Sequence, residues 1–187
     1  MSAESDLRDG ADRVLVNPVT GLRLRIVRST RETAGACLEM EATYPPRSPA
    51  PIEHFHPAQD ERFVVESGAM TARVGGVPRT LGPGDELAIP AGTPHAMWNA
   101  GDAPSVVRWT TTPARGTEEF FRDIVWLASE GRIDATGKPR LLDLAWLAPK
   151  YWNEMRVTRP PQWAQRLLFA ILAPAGALRR RRRGGER

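Results

Sequence analysis

Turn residues punctuate this chain too often for long helices and at the right interval for short strands. From Leu22 to Thr111, alternating apolar and polar runs of about four to eight residues are closed by glycine or proline. Leu22, Leu24 and Ile26 alternate with Arg23 and Arg25, and Leu38, Met40 and Ala42 with Glu39, Glu41 and Thr43. That is the period of strands with one wet face. Arg13 to Val16 is a first short strand. Four prolines between Tyr44 and Pro51 exclude helix and central strand there, so a stiff loop delivers the chain to Pro51. Further strands are expected at Glu61–Ser67, Met70–Val74, Val77–Leu81, Glu86–Ile89 and Ser105–Thr111. Gly75-Gly76 marks a hairpin. About nine such strands imply a mainly β sandwich or barrel.

All three histidines of the chain, His54, His56 and His95, lie between Pro51 and Asn99. His54 and His56 are two apart, so an extended strand sends both rings to one face. Glu61 follows beyond a bend at Pro57. Three neutral imidazoles and a carboxylate make a donor set for a divalent transition metal: Fe, Mn, Zn, Ni, Cu or Co. Asp60 and Gln59 are alternatives to Glu61, but Asp60 has the opposite strand parity and Gln59 is a weaker, neutral ligand. Glu53 has the parity that points it away from His54. Met40, Phe63 and Met97 are expected to line an apolar pocket beside the metal.

These residues carry a resemblance to the cupin superfamily. His54, His56, Glu61 and Gly68 have the spacing of its first motif, and Gly84, Pro90, Gly92, His95 and Asn99 that of its second. A glycine that normally precedes the first pair is missing; Pro49 and Pro51 stand in that neighbourhood. The resemblance implies an antiparallel jelly-roll barrel over residues 13–112, with His54, His56, Glu61 and His95 as metal ligands inside one mouth.

The character changes after Pro113. Thr117 is the expected N-cap of an amphipathic helix over 117–130 that Gly131 ends. A second helix is expected from Leu141 to Met155, with Pro149 as an interruption or new start, and a third from about Gln162 to Leu172. Trp126, Trp146, Trp152 and Trp163 fall in this region, so the helices are expected to pack on the barrel or on a second subunit. The chain thus divides into a disordered leader (1–12), the barrel (13–112), a helical extension (113–178) and a basic disordered tail (179–187).

Net charge is −3 over residues 1–114 and +7 over 115–187, where Arg179–Arg183 supply five of the positives. The tail shows no aromatic interleaving and no DNA-binding fold, so no specific nucleic-acid partner is expected. Leu167–Leu178 is uncharged but too short to span a bilayer. With Arg179–Arg183 it would suit either an anionic membrane surface or a buried terminal helix with a solvated basic end. Residues 1–12 lack the layout of a signal peptide, and the single cysteine, Cys37, fits a reducing cytoplasm. The expected protein is a cytoplasmic, homodimeric metal-binding cupin. It acts on a small organic molecule as an oxygenase- or isomerase-type enzyme, or it is a non-catalytic module that binds or senses a small ligand.

Overall fold

The computed structural model describes residues 13–172. The expected leader, the last residues of the extension and the arginine tail lie outside the described residues. Two antiparallel sheets carry the fold. The first runs β1 (Val14–Val16), β2 (Arg23–Arg28), β3 (Leu38–Tyr44), β10 (Ser105–Thr112), β5 (Asp60–Ser67) and β8 (Glu86–Ile89), in that spatial order. The second runs β11 (Arg156–Val157), β4 (His54–Phe55), β9 (His95–Trp98), β6 (Met70–Val74) and β7 (Val77–Leu81). The architecture is the jelly roll, but the sheets do not close into a barrel; they face each other as a sandwich.

Strand register explains why the alternation was so regular. Ile26 pairs with Met40, Met40 with Trp109, Trp109 with Phe63 and Phe63 with Leu87. One continuous row of buried side chains therefore crosses five of the six strands of the first sheet, from β2 to β8. A one-residue slip would turn the row to solvent, and each large apolar side chain in it is worth about 1.5–3 kcal/mol when buried. The neighbouring row holds Thr111, Glu61 and Ile89, also buried, which puts a carboxylate on the core face two residues from Phe63.

Two motif residues act on the backbone. Gly68 has φ +73°, and a Cβ there would stand 2.4 Å from the Pro104 carbonyl oxygen, so only glycine fits. Asn99 donates to the carbonyls of Pro45 (3.0 Å) and Ala103 (2.7 Å) and accepts from Gly101 N–H (2.9 Å). It pins the proline-rich loop to the end of β9.

The extension has three helices: α1 (Thr117–Ser129), α2 (Leu141–Lys150) and α3 (residues 162–172). Thr117 is not the N-cap. Gly116 holds that position, and the Thr117 hydroxyl accepts from Gln59 Nε2 at 2.8 Å. From α1, Phe121 and Val125 pack on the sandwich core, and Phe121 meets Trp109 edge-on at 5.2 Å. Phe120, Ile124 and Leu127 form a second cluster with Leu147 and Tyr151. The second helix stops at Lys150, with Pro149 in its last turn, rather than running to Met155. The chain then turns and lays β11 against β4, a pairing the sequence did not announce. Trp126, Trp146 and Trp152 are half-buried, but Trp163 is exposed, as are Leu167 and Ile171 on the same helix. No helix among the described residues is long and apolar enough to cross a membrane.

Candidate metal centre

The second sheet brings the histidines together. His54 on β4 pairs directly with His95 on β9. His56, one residue past β4, lies with its ring 5.2 Å from His54 and 5.4 Å from His95. One ligating nitrogen from each ring falls within 4.8 Å of the other two. Glu61 comes from the opposite sheet. Its Oε2 lies 2.9 Å from His95 Nε2 and 3.3 Å from His56 Nε2.

Each imidazole is oriented from behind by a main-chain carbonyl. His54 Nδ1 is 2.9 Å from the Ile52 oxygen, His95 Nδ1 3.0 Å from that of Thr93, and His56 Nδ1 2.6 Å from that of Glu154. A carbonyl only accepts, so Nδ1 carries the hydrogen and donates. That leaves each Nε2 as a bare lone pair. A hydrogen bond behind each ring is the arrangement that holds ligating histidines. Glu61 is held similarly, its Oε1 accepting from Trp109 Nε1 at 3.0 Å.

The donor set is suited to a cation. His56 Nε2 is buried and has no hydrogen-bond partner among the described residues, and the buried Glu61 Oε2 has none there beyond its 2.9 Å contact with His95 Nε2. With Nδ1 protonated, the Nε2 lone pairs of His56 and His95 face the carboxylate lone pairs of Glu61. Acceptors do not crowd together in a buried site without a positive charge between them. Either a proton or a metal ion supplies it, and three imidazoles plus one carboxylate fit the metal. The electrostatics agree. Burial pushes the His54 ring down to about 4, helped by the two neighbouring histidines. Burial also pushes His95 down, but the hydrogen bond and charge of Glu61 outweigh it and hold His95 above its ordinary value. Burial raises the Glu61 carboxyl, but the His95 hydrogen bond and the nearby histidines leave it below the usual carboxylate range.

The alternatives to Glu61 are engaged elsewhere. Gln59 Nε2 donates to the Pro113 and Ala114 carbonyls and to Thr117, tying β5 to the extension. Asp60 is exposed and accepts from Ala91 N–H at 2.8 Å. Glu53, an extra carboxylate near the centre and not one of those alternatives, accepts from the Thr158 hydroxyl at 3.1 Å.

A cavity of about 240 Å³ opens on the three histidines. Phe63 and Met97 line it, as expected. Met40 does not; it is sealed in the core row between Ile26 and Trp109. Trp109 and the extension add to the wall, the extension through Phe120, Phe121, Ile124, Leu147, Met155 and Val157, and the rest includes Leu22 and the proline-rich loop at Pro49 and Pro51. Sequence reasoning missed Tyr44, which also lines the cavity. Its place on the inward parity of β3, beside Met40 and Ala42, was the available signal. It missed the Glu154 carbonyl too, for which no signal existed.

Residues 40–111 match the family model of the cupin domain. This stretch is a cupin domain. It contains all four residues of the centre, and the extension that completes the cavity lies outside it. No curated protein matches the chain. Solved structures similar to it include a sugar phosphate isomerase of the cupin superfamily from Silicibacter pomeroyi, 24% identical, with 50% of this chain and 60% of that one aligned and a TM-score of 0.45. The chain therefore spans less than two thirds of that protein. KdgF from Halomonas sp. is 24% identical over 52% of this chain and 84% of its own, with a TM-score of 0.46. An RmlC-like cupin from Shewanella frigidimarina is 18% identical over 58% and 90%, with a TM-score of 0.48.

Proposed function

We propose that the protein binds one divalent transition metal through His54, His56, His95 and Glu61 and acts there on a small organic molecule held in the adjoining cavity. The observation that carries this reading is the set of three buried or half-buried histidines, each donating from Nδ1 to a carbonyl and presenting Nε2 to one point beside Glu61. Bound metal would polarise a substrate oxygen or activate water or dioxygen. The chain supplies the rest. The carbonyls of Ile52, Thr93 and Glu154 set ring orientation, Trp109 fixes Glu61, and the apolar wall excludes water.

A second reading is a non-catalytic module in which the metal anchors a small ligand. One observation favours it. Apart from the centre itself, the titratable side chains lining the cavity are Tyr44, Lys138 and Glu154. Burial raises the Tyr44 phenol well above its ordinary value, and the Glu61 charge raises it further, so it remains protonated and is no base near neutrality. Metal loading tests the common part of both readings. Added Zn, Mn, Fe, Co, Ni or Cu should raise the melting temperature of the intact chain, and a chelator should reverse this. His54→Ala should abolish both effects. Oxygen consumption or turnover by the loaded protein then separates enzyme from binding module.

The expected homodimer is best supported by the exposed stripe of Trp163, Leu167 and Ile171 on α3. A monomeric mass in light scattering at micromolar concentration would remove it.

A further inference from the structure

The wall of the cavity says what kind of molecule belongs in it, given the metal centre proposed above. Tyr44 is only 8% exposed, yet its hydroxyl makes no hydrogen bond among the described residues, although it lines the cavity with the histidines. Buried tyrosine hydroxyls ordinarily find a partner. An unpartnered one facing ligand space is a donor held in reserve. The other charged side chains on the wall besides the histidines are Lys138, which is exposed, and Glu154, whose carbonyl already serves His56. Among the described residues no buried arginine or lysine lines the cavity, so a phosphate or a second carboxylate would find no buried countercharge from them.

We infer that the ligand is a compact apolar molecule with one oxygen function, neutral or singly anionic, which the Tyr44 hydroxyl hydrogen-bonds at the metal end while its hydrocarbon body lies against the helical extension. Charge supports the limit of one. A divalent ion beside ionised Glu61 leaves one net positive charge, which a monoanion neutralises and a dianion overshoots. Size follows from volume. An apolar cavity of about 150 Å³ takes benzene, so the 240 Å³ here takes roughly ten non-hydrogen atoms. The body would pack on Phe121 and Ile124 of α1, Leu147 of α2 and Met155 after it. Specificity would then reside in the extension rather than in the motif-bearing strands.

Calorimetry on the zinc-loaded full chain tests this with phenylacetate, succinate and glucose 6-phosphate as probes. Phenylacetate should bind at least about ten-fold more tightly than succinate, and glucose 6-phosphate should not compete. Tyr44→Phe should weaken phenylacetate about ten-fold, the loss of one hydrogen bond to a charged group. Zinc affinity and melting temperature should not move, because the hydroxyl makes no hydrogen bond among the described residues; a structural hydroxyl would lower the melting temperature. Ile124→Trp should fill the cavity and abolish phenylacetate binding with zinc retained. Zinc uptake with no phenylacetate binding, equal binding by Tyr44→Phe, or preference for succinate or the phosphosugar would overturn the inference and leave the metal reading intact. Failure to take up zinc, seen before any probe is added, would sink the metal reading and this inference with it.

Discussion

The strand sandwich and the helical extension contribute to the same centre by different physics. The sandwich supplies side chains: His54 and His95 from one sheet, His56 just past the end of β4, and Glu61 from the other sheet. The extension supplies main chain and surface. The Glu154 carbonyl orients His56, β11 pairs with β4, and α1 and α2 wall the cavity. A site can therefore depend on a segment that contributes none of its proposed ligands.

That contrast can be broken at several points. The largest expected effect lies in the sandwich. His95→Ala should cost at least about 100-fold in metal affinity, since a handful of ligands share the ~10–16 kcal/mol of a tight zinc site; competition against a chromophoric chelator measures it. Gly68→Ala should remove about 3 kcal/mol of stability, from positive φ and collision with the Pro104 carbonyl. Chemical denaturation reads this out, and metal affinity per folded molecule should be unchanged.

The extension is sharpened by Thr158→Pro. It deletes the N–H that Thr158 donates to the Glu53 carbonyl and the hydroxyl contact to Glu53, just past β11. If β11 holds Glu154 behind His56, metal affinity should fall about ten-fold, the lower end for losing an outer partner of a ligand. Unchanged affinity would mean that the extension merely covers the site.

The smallest effect is in pH. His95 is held above its ordinary value by Glu61, so its proton competes with metal to higher pH than an ordinary imidazole's would, and affinity should climb as rising pH removes it. Glu61→Gln removes the charge and should move the competition to lower pH. His54 behaves oppositely. Its folded value of about 4 lies below the ordinary 6.5, so the stability from keeping it neutral is complete above 6.5 and lost as pH falls toward 4. The metal-free protein should lose melting temperature across that interval, and His54→Phe should flatten the loss.

The sandwich was readable because strand alternation is local and redundant. Ile26, Met40, Trp109, Phe63 and Leu87 each repeat the same instruction to face inward. The residue types at the centre were readable because histidine is rare here and confined to one segment. Much else was not. A carbonyl 98 residues from His56 leaves no trace in residue identity, and β11 is too short to alternate. Met40 and Tyr44 share a strand face, and parity could not tell that one would be sealed in the core and the other would border the cavity. Closure of the strands into a barrel came with the family pattern, whereas pairing here leaves two sheets.

The proposed centre requires that the three Nε2 atoms and Glu61 surround a point that holds a cation. X-ray absorption at the metal edge of the zinc-loaded chain tests it most directly. One ion per chain is expected, with imidazole nitrogens at about 2.0–2.1 Å and a carboxylate oxygen at similar range. A chain that retains no zinc, or a spectrum with oxygen ligands and no imidazole scattering, would contradict it.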